Sequence, residues 1–101
     1  MELSIKERLL LLNILPAESN FVTLKIVRKL QEDLSFSEDE IKEAQFKTIE
    51  GKVNWNPNAN VIKDVEFGEK ANDLIIESLQ KLDKQNKLTL DYFDLYEKFV
   101  K

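Results

Sequence analysis

The sequence predicts a mainly helical α+β fold in one domain, residues 1–101, with five helices and a small antiparallel sheet of two or three strands. Three observations predict it. Both ends of the chain repeat apolar residues at helical spacing. Two Ser-x-x-Glu sequences, Ser4–Glu7 and Ser37–Glu40, are capping boxes that mark helix starts. The middle, Phe46 to Phe67, instead collects strand and turn residues: Trp55, Gly51, Pro57 and four Asn at 54, 56, 58 and 60.

The first helix is expected over 5–15. The Ser4 side chain can accept from the amide three residues on, and Glu7 can reach back. Leu9 to Leu12 are consecutive, so at 100° per residue they make the helix apolar nearly all round. Pro16 disfavours helical geometry at Leu15 and ends it. The second helix is expected over 20–34, with Leu24, Val27, Leu30 and Leu34 on one face and Lys25, Arg28 and Lys29 together on another. Glu32 and Asp33 follow Arg28 and Lys29 by four residues and can pair with them. The third helix, 38–45, starts at Ser37. Glu40 closes its box, Phe36 and Ile41 occupy staple positions, and Glu38 and Asp39 suit a helix start.

Strands are expected over 47–50 and 52–55, joined at Glu50-Gly51, where Gly supplies positive φ for a tight hairpin turn. Asn56-Pro57-Asn58 breaks the second strand. Val65 and Phe67 alternate with Asp64 and Glu66, which predicts a half-buried third strand over 63–67. The fourth helix, 69–85, follows Gly68, with Ala71, Ile75, Leu79 and Leu82 inward, Leu74 beside them and Ile76 widening the apolar face. The fifth, 90–100, is expected to be capped by Thr89, with Leu90, Phe93, Tyr96, Phe99 and Val100 apolar and Asp91, Asp94 and Glu97 outside.

Composition narrows the chemistry. Hydrophobic residues at 43% and charged residues at 34% fit a globular chain able to bury one core. The net charge of −4 is spread evenly, with 7 basic and 10 acidic residues in 1–50 and 8 and 9 in 51–101. No basic or acidic tail points to nucleic acid or membrane. The chain has no Cys, which removes disulfides, thiolate zinc sites and thiol catalysis, and no His, which removes an imidazole base or ligand. Lys6 and Arg8 before the Leu run imitate a secretory signal. That run is short and interrupted by Asn13, and Glu2 and Glu7 dilute the positive region, so a buried helix is the expectation.

Several constellations bear on function. The Asn-rich loop offers alternating oxygens but lacks the Gly and bidentate acid of a calcium loop. Glu50-Gly51-Lys52, with Asp64 or Glu66 on a neighbouring strand, has the spacing of a metal-dependent phosphoesterase, although Gly51 makes it a turn. Asp91, Asp94 and Lys98 read as a solvated face. Lys25, Arg28 and Lys29 form a basic patch. Three helices before a hairpin is also the order of a winged-helix DNA reader, but the third helix carries Glu38, Asp39, Glu40 and Glu43 against Lys42, which phosphate would repel. Trp55, flanked by Asn54 and Asn56, is a core plug or a ligand-stacking residue.

The run LSIKERLLLLNILPAESNFVTLKIVRKLQEDLSFSEDEIKE resembles small phage and prophage proteins of unassigned function. So does the ending with Lys81-Leu82-Asp83, Lys87-Leu88-Thr89-Leu90 and Leu95-Tyr96-Glu97-Lys98-Phe99-Val100, with Asn54-Trp55-Asn56 between them. The resemblance spans nearly the whole chain. It implies a bacterial cytoplasm and action on host or phage components, and no particular activity or functional residue.

The expected function is non-enzymatic: an accessory protein, without cofactor or metal, that binds a host protein or a small signalling ligand. The candidate binding residues are Trp55, Asn54, Asn56, Lys25, Arg28 and Lys29. A winged-helix-like DNA-binding regulator and a metal-dependent phosphoesterase are the alternatives. Self-association is expected from surplus apolar surface, with Leu11, Leu12 and Ile76 as candidate interface residues.

Overall fold

The computed structural model describes residues 1–100. Lys101, the last residue of the expected domain, lies outside the described residues. The elements are β1 (Glu2–Ser4), α1 (Ile5–Ile14), α2 (Phe21–Leu34), α3 (Glu38–Ala44), β2 (Lys47–Ile49), β3 (Lys52–Asn54), β4 (Ile62–Asp64), α4 (Glu69–Lys84) and α5 (Leu90–Phe99). All five expected helices are present; α1, α3, α4 and α5 stop one residue short of their expected ends, and α2 ends at Leu34 as expected but starts one residue later, at Phe21, differences within the fraying of a terminal turn.

Local chemistry explains the helix starts. Both capping boxes are closed. The Glu7 amide donates to Ser4 Oγ at 3.3 Å and the Ser4 amide to Glu7 Oε1 at 3.0 Å. The Glu40 amide donates to Ser37 Oγ at 3.2 Å and the Ser37 amide to Glu40 Oε1 at 3.0 Å. Asn20 caps α2 by accepting from the Thr23 amide at 2.8 Å. Thr89 sits at the N-cap of α5 but its side chain makes no cap bond, contrary to expectation. Leu15 is extended ahead of Pro16, as the proline ring requires.

The sheet differs from the expected one. There are two separate two-stranded antiparallel sheets, β1 with β4 and β2 with β3. The hairpin pairs Lys47 with Asn54 and Ile49 with Lys52, and turns through Glu50 at φ 52° and Gly51 at φ 78°, both left-handed. The third strand covers Ile62–Asp64 rather than 63–67. Its partner is the N-terminal strand β1, with Glu2 opposite Asp64 and Ser4 opposite Ile62. The pairing extends to Met1, whose amino group donates to Asp64 Oδ1 at 2.8 Å and to the Val65 carbonyl at 3.0 Å. Residues 2–4 are too few to show alternation, so their strand is set by a partner some sixty residues away.

The larger core gathers Leu3, Leu11, Leu30, Leu34, Val65, Ile75, Leu79, Leu95 and Phe99. Helix α1 runs through it and touches α2, α4, α5 and β1. That position accounts for its all-round apolar surface. Leu11 is fully buried and Leu10, Leu12 and Ile14 are half-buried against the same core. Leu11 therefore has no surface to offer a second subunit, which corrects its assignment to an interface. Leu12 and Ile76 are half-buried and pack on this core. On α5 the buried stripe is Tyr92, Leu95, Tyr96 and Phe99, and Phe99 meets Phe67 edge-on at 5.6 Å. Leu90 and Phe93, expected inward, lie outside because Leu95 takes the central position. A smaller core holds Ile5, Ala44 and Val61, with Phe36, Phe46, Trp55 and Ala59 packed on it.

Arg8 of α1 is fully buried. Its Nε donates to the Leu34 carbonyl at 3.3 Å, Nη2 to the Ser35 carbonyl, and Nη1 to Glu40 Oε2 at 2.6 Å. Nη2 also reaches Glu40 Oε1 at 3.1 Å, making the pair bidentate, and the guanidinium lies over the Phe36 ring at 4.0 Å. The hydrogen bond from Arg8 holds the Glu40 carboxyl down at about 2 from its usual 4.5. One carboxylate thus closes the α3 cap and neutralises a buried cation.

Ser37→Ala is expected to lower stability by about 1 kcal/mol, the worth of a cap. Glu40→Ala is expected to cost about 3–5 kcal/mol, because it strands the Arg8 charge in the interior. Urea midpoints distinguish the two, and equal losses would contradict the role given to Arg8. Because Glu40 is depressed in the folded chain, its contribution is complete above its unfolded value. It is lost as pH falls from about 4.5 toward about 2. In Glu40→Gln this acid-limb loss should shrink, as read by denaturation at stepped pH.

Candidate functional site

The sequence candidates fall on two different surfaces. Trp55, Asn54 and Asn56 border an open cleft of about 280 Å³ with Gln45 and Lys47. Trp55 is half-buried: it packs on the smaller core and meets Phe46 edge-on at 6.4 Å, while another edge faces the cleft. The two Asn amides are engaged in local turns. Asn54 Nδ2 donates to the Lys52 carbonyl at 3.3 Å, and Asn56 Oδ1 accepts from the Asn58 amide at 2.9 Å. The Asn56 amide ties this loop to the end of α3 through the Ala44 carbonyl at 2.8 Å. These contacts make the segment a self-bonded turn that holds Trp55 against Phe46.

Lys25 and Lys29 line a cleft of about 520 Å³ between α2 and the start of α4. Ile26, Leu30 and Phe67 lie within it. Lys29 is paired with Asp33 at 3.1 Å. Lys70 joins the rim, but so do Asp33, Glu66 and Glu69, so cations and acids are balanced and an anion gains little there. Arg28 lies on the outer side of α2, away from this cleft.

Of the phosphoesterase candidates, the structure separates Asp64 from the hairpin residues. Glu50 and Lys52 are on the β2–β3 hairpin, whereas Asp64 belongs to the other sheet, paired to β1. Among the described residues no three acidic side chains converge as a metal site, and no helix is long and apolar enough to cross a membrane.

A further surface was missed by sequence reasoning. On α5, Leu90 is 89% exposed and Phe93 57%. Phe93 borders a cleft of about 460 Å³ with Leu88, Thr89, Tyr96 and Glu97. Tyr96 donates its hydroxyl to Asp83 Oδ2 at 3.3 Å; burial of the phenol and the neighbouring Asp83 carboxylate raise its pKa. Asp94 and Glu97 flank Phe93 along the helix. Asp91, on the same helix, is taken up by Lys6 at 2.9 Å, and that hydrogen bond raises the lysine. The signal was in the spacing. Tyr92, Leu95, Tyr96 and Phe99 already complete an i, i+3, i+4, i+7 stripe, which leaves Leu90 and Phe93 unaccounted for. A second exposed pair opens α2, with Phe21 at 73% and Val22 at 61%.

Trp55→Ala is expected to cost about 3 kcal/mol, the lower end for a large aromatic in a core, because only part of the ring is covered. Trp55→Phe should retain the edge contact to Phe46 and lose clearly less. Urea titration of both variants checks this, and a Trp55→Ala midpoint equal to wild type would remove Trp55 from the smaller core.

The comparisons add no relative to this geometry: no protein-family model, no curated protein and no solved structure matches the chain.

Proposed function

We propose that this chain is a non-enzymatic accessory protein, of the small phage type and acting in a bacterial cytoplasm, that works by binding another protein through the outer stripe of α5. The observation that carries this reading is the exposure of Leu90 and Phe93, 89% and 57%, on a helix whose inward stripe is already complete. Adjacent exposed large apolar side chains next to a cleft mark an interaction surface. Covering each stabilises a complex by about 1.5–3 kcal/mol before the costs of association. Asp94 and Glu97 beside them favour a partner with basic side chains and disfavour an acidic one. A protein partner fits better than a small anion, since the cleft lined by Lys25 and Lys29 balances its lysines with acids. It also fits better than duplex DNA, since α3 exposes Glu38, Asp39 and Glu43.

Immobilised wild-type chain should retain specific proteins from a bacterial lysate, and Phe93→Glu should lose them by tenfold or more, about 1.4 kcal/mol or above. Phe93 is outside the core, so the far-ultraviolet dichroism of the variant should remain that of wild type. Undiminished capture by a folded Phe93→Glu chain would overturn the α5 reading.

A further inference from the structure

The outer stripes of α2 and α5 are complementary. On α2, Phe21, Lys25 and Arg28 stand at i, i+4 and i+7, so they line one face, with Val22 beside Phe21. On α5, Leu90, Asp94 and Glu97 stand at the same spacing, with Phe93 beside them. Each stripe spans about 10 Å of helix. Each places its exposed apolar residues in the first turn and its charges after them, and the charges are opposite. Laid side by side in parallel, the two helices bring Phe21 and Val22 against Leu90 and Phe93. Lys25 then meets Asp94, and Arg28 meets Glu97, in one register.

None of these four charged side chains takes part in an ion pair among the described residues. The two stripes therefore do not satisfy each other within one chain. Lys25 is held over the Phe21 ring at 4.9 Å, which keeps the basic and apolar parts of the α2 stripe together.

We infer that the occupant of the α5 stripe is the α2 stripe of a second copy of this chain, joined head to tail. The inference rests on the reading of α5 as a protein-binding face and names what covers it. The interface is heterologous: each chain contributes α5 on one side and α2 on the other, so assembly proceeds to a ring or an open string rather than stopping at a two-fold pair. The interface residues are then not Leu11, Leu12 and Ile76, but the outer stripes of α2 and α5. The charges set the partner and register, and association weakens as salt screens them.

Light scattering behind a sizing column tests this on the whole chain. Wild type is expected to exceed 11.8 kDa in a concentration-dependent way and to shift toward it in high salt. Phe21→Glu and Phe93→Glu, each alone, should both elute as monomers. An equimolar mixture of the two should return to a dimer and no further, because only the α5 face of the first and the α2 face of the second remain intact. Lys25→Glu should weaken association about tenfold or more, and Lys25→Glu combined with Asp94→Lys should restore it. A wild-type chain monomeric at about millimolar concentration, a level at which even weak pairs form, would overturn the inference. So would a mixture that stays monomeric, or a Phe21→Glu chain that still associates. A monomer that pellets with anionic lipid vesicles would assign the α2 stripe to a membrane surface instead. If wild type is monomeric but Phe93→Glu still loses capture from lysate, the inference falls and the α5 reading stands. If capture is also unchanged, both fall.

Discussion

The arrangement of the first three helices depends on one buried cation. A guanidinium fully removed from water costs several kcal/mol unless its donors are met. Arg8 meets them at one place, the short link between α2 and α3, through the Leu34 and Ser35 carbonyls and the Glu40 carboxylate. These groups converge only if α2 ends at Leu34 and α3 begins after Ser37. The charge on α1 therefore specifies the geometry of a turn some twenty-six residues later. Phe36 completes the site by covering the guanidinium face, and then meets Phe46 edge-on at 5.0 Å, which continues the contact to Trp55 and the smaller core.

Around that anchor, α1 becomes the axis of the domain. A helix with apolar residues on every side has no face for water, so it is stable only when wrapped. Helices α2, α4 and α5 and strand β1 wrap it. The strand is secured at its very start, where the Met1 amino group bonds to Asp64 and Val65, and Lys98 from the far end of the chain reaches Glu7 at 2.6 Å. The two ends of the sequence thus close the structure around the helix that most needs covering.

This burial redistributes the apolar surface. Of the residues with the greatest apolar surplus in the sequence, Leu9 to Leu12, Leu11 is fully buried and the other three are half-buried against the cores. Among the large apolar residues left exposed, Phe21 and Val22 on α2 and Leu90 and Phe93 on α5 form two helical pairs, beside Met1, Ile41, Ile49, Val53 and Ile62 elsewhere. Each pair sits in the first turn of its helix, next to charges of one sign, basic on α2 and acidic on α5. That placement is what supports the proposal that they are surfaces for contact.

What the sequence by itself determined is what depends on neighbours a few residues apart. The two capping boxes, the stop before Pro16, the left-handed turn at Glu50-Gly51, the Lys29–Asp33 pair and the inward stripe of α4 were all legible, because each is a local hydrogen bond, ion pair or periodicity. The self-bonding of the Asn residues that flank Trp55 was also legible, whereas the sequence left Trp55 itself open between a core plug and a ligand-stacking residue, and packing made it half-buried. What only the tertiary structure decided is what depends on distant partners. Residues 2–4 became a strand because residues 62–64 lay within reach, and Asp64 thereby left Glu50 on another sheet. Arg8, met in sequence as one charge before a Leu run, became a buried ion-pair partner because Glu40 was brought to it across thirty-two residues. Leu11 and Phe93 exchanged their expected places for the same reason. Period shows that a helix has an apolar face, but packing against other helices chooses which apolar residues that face includes.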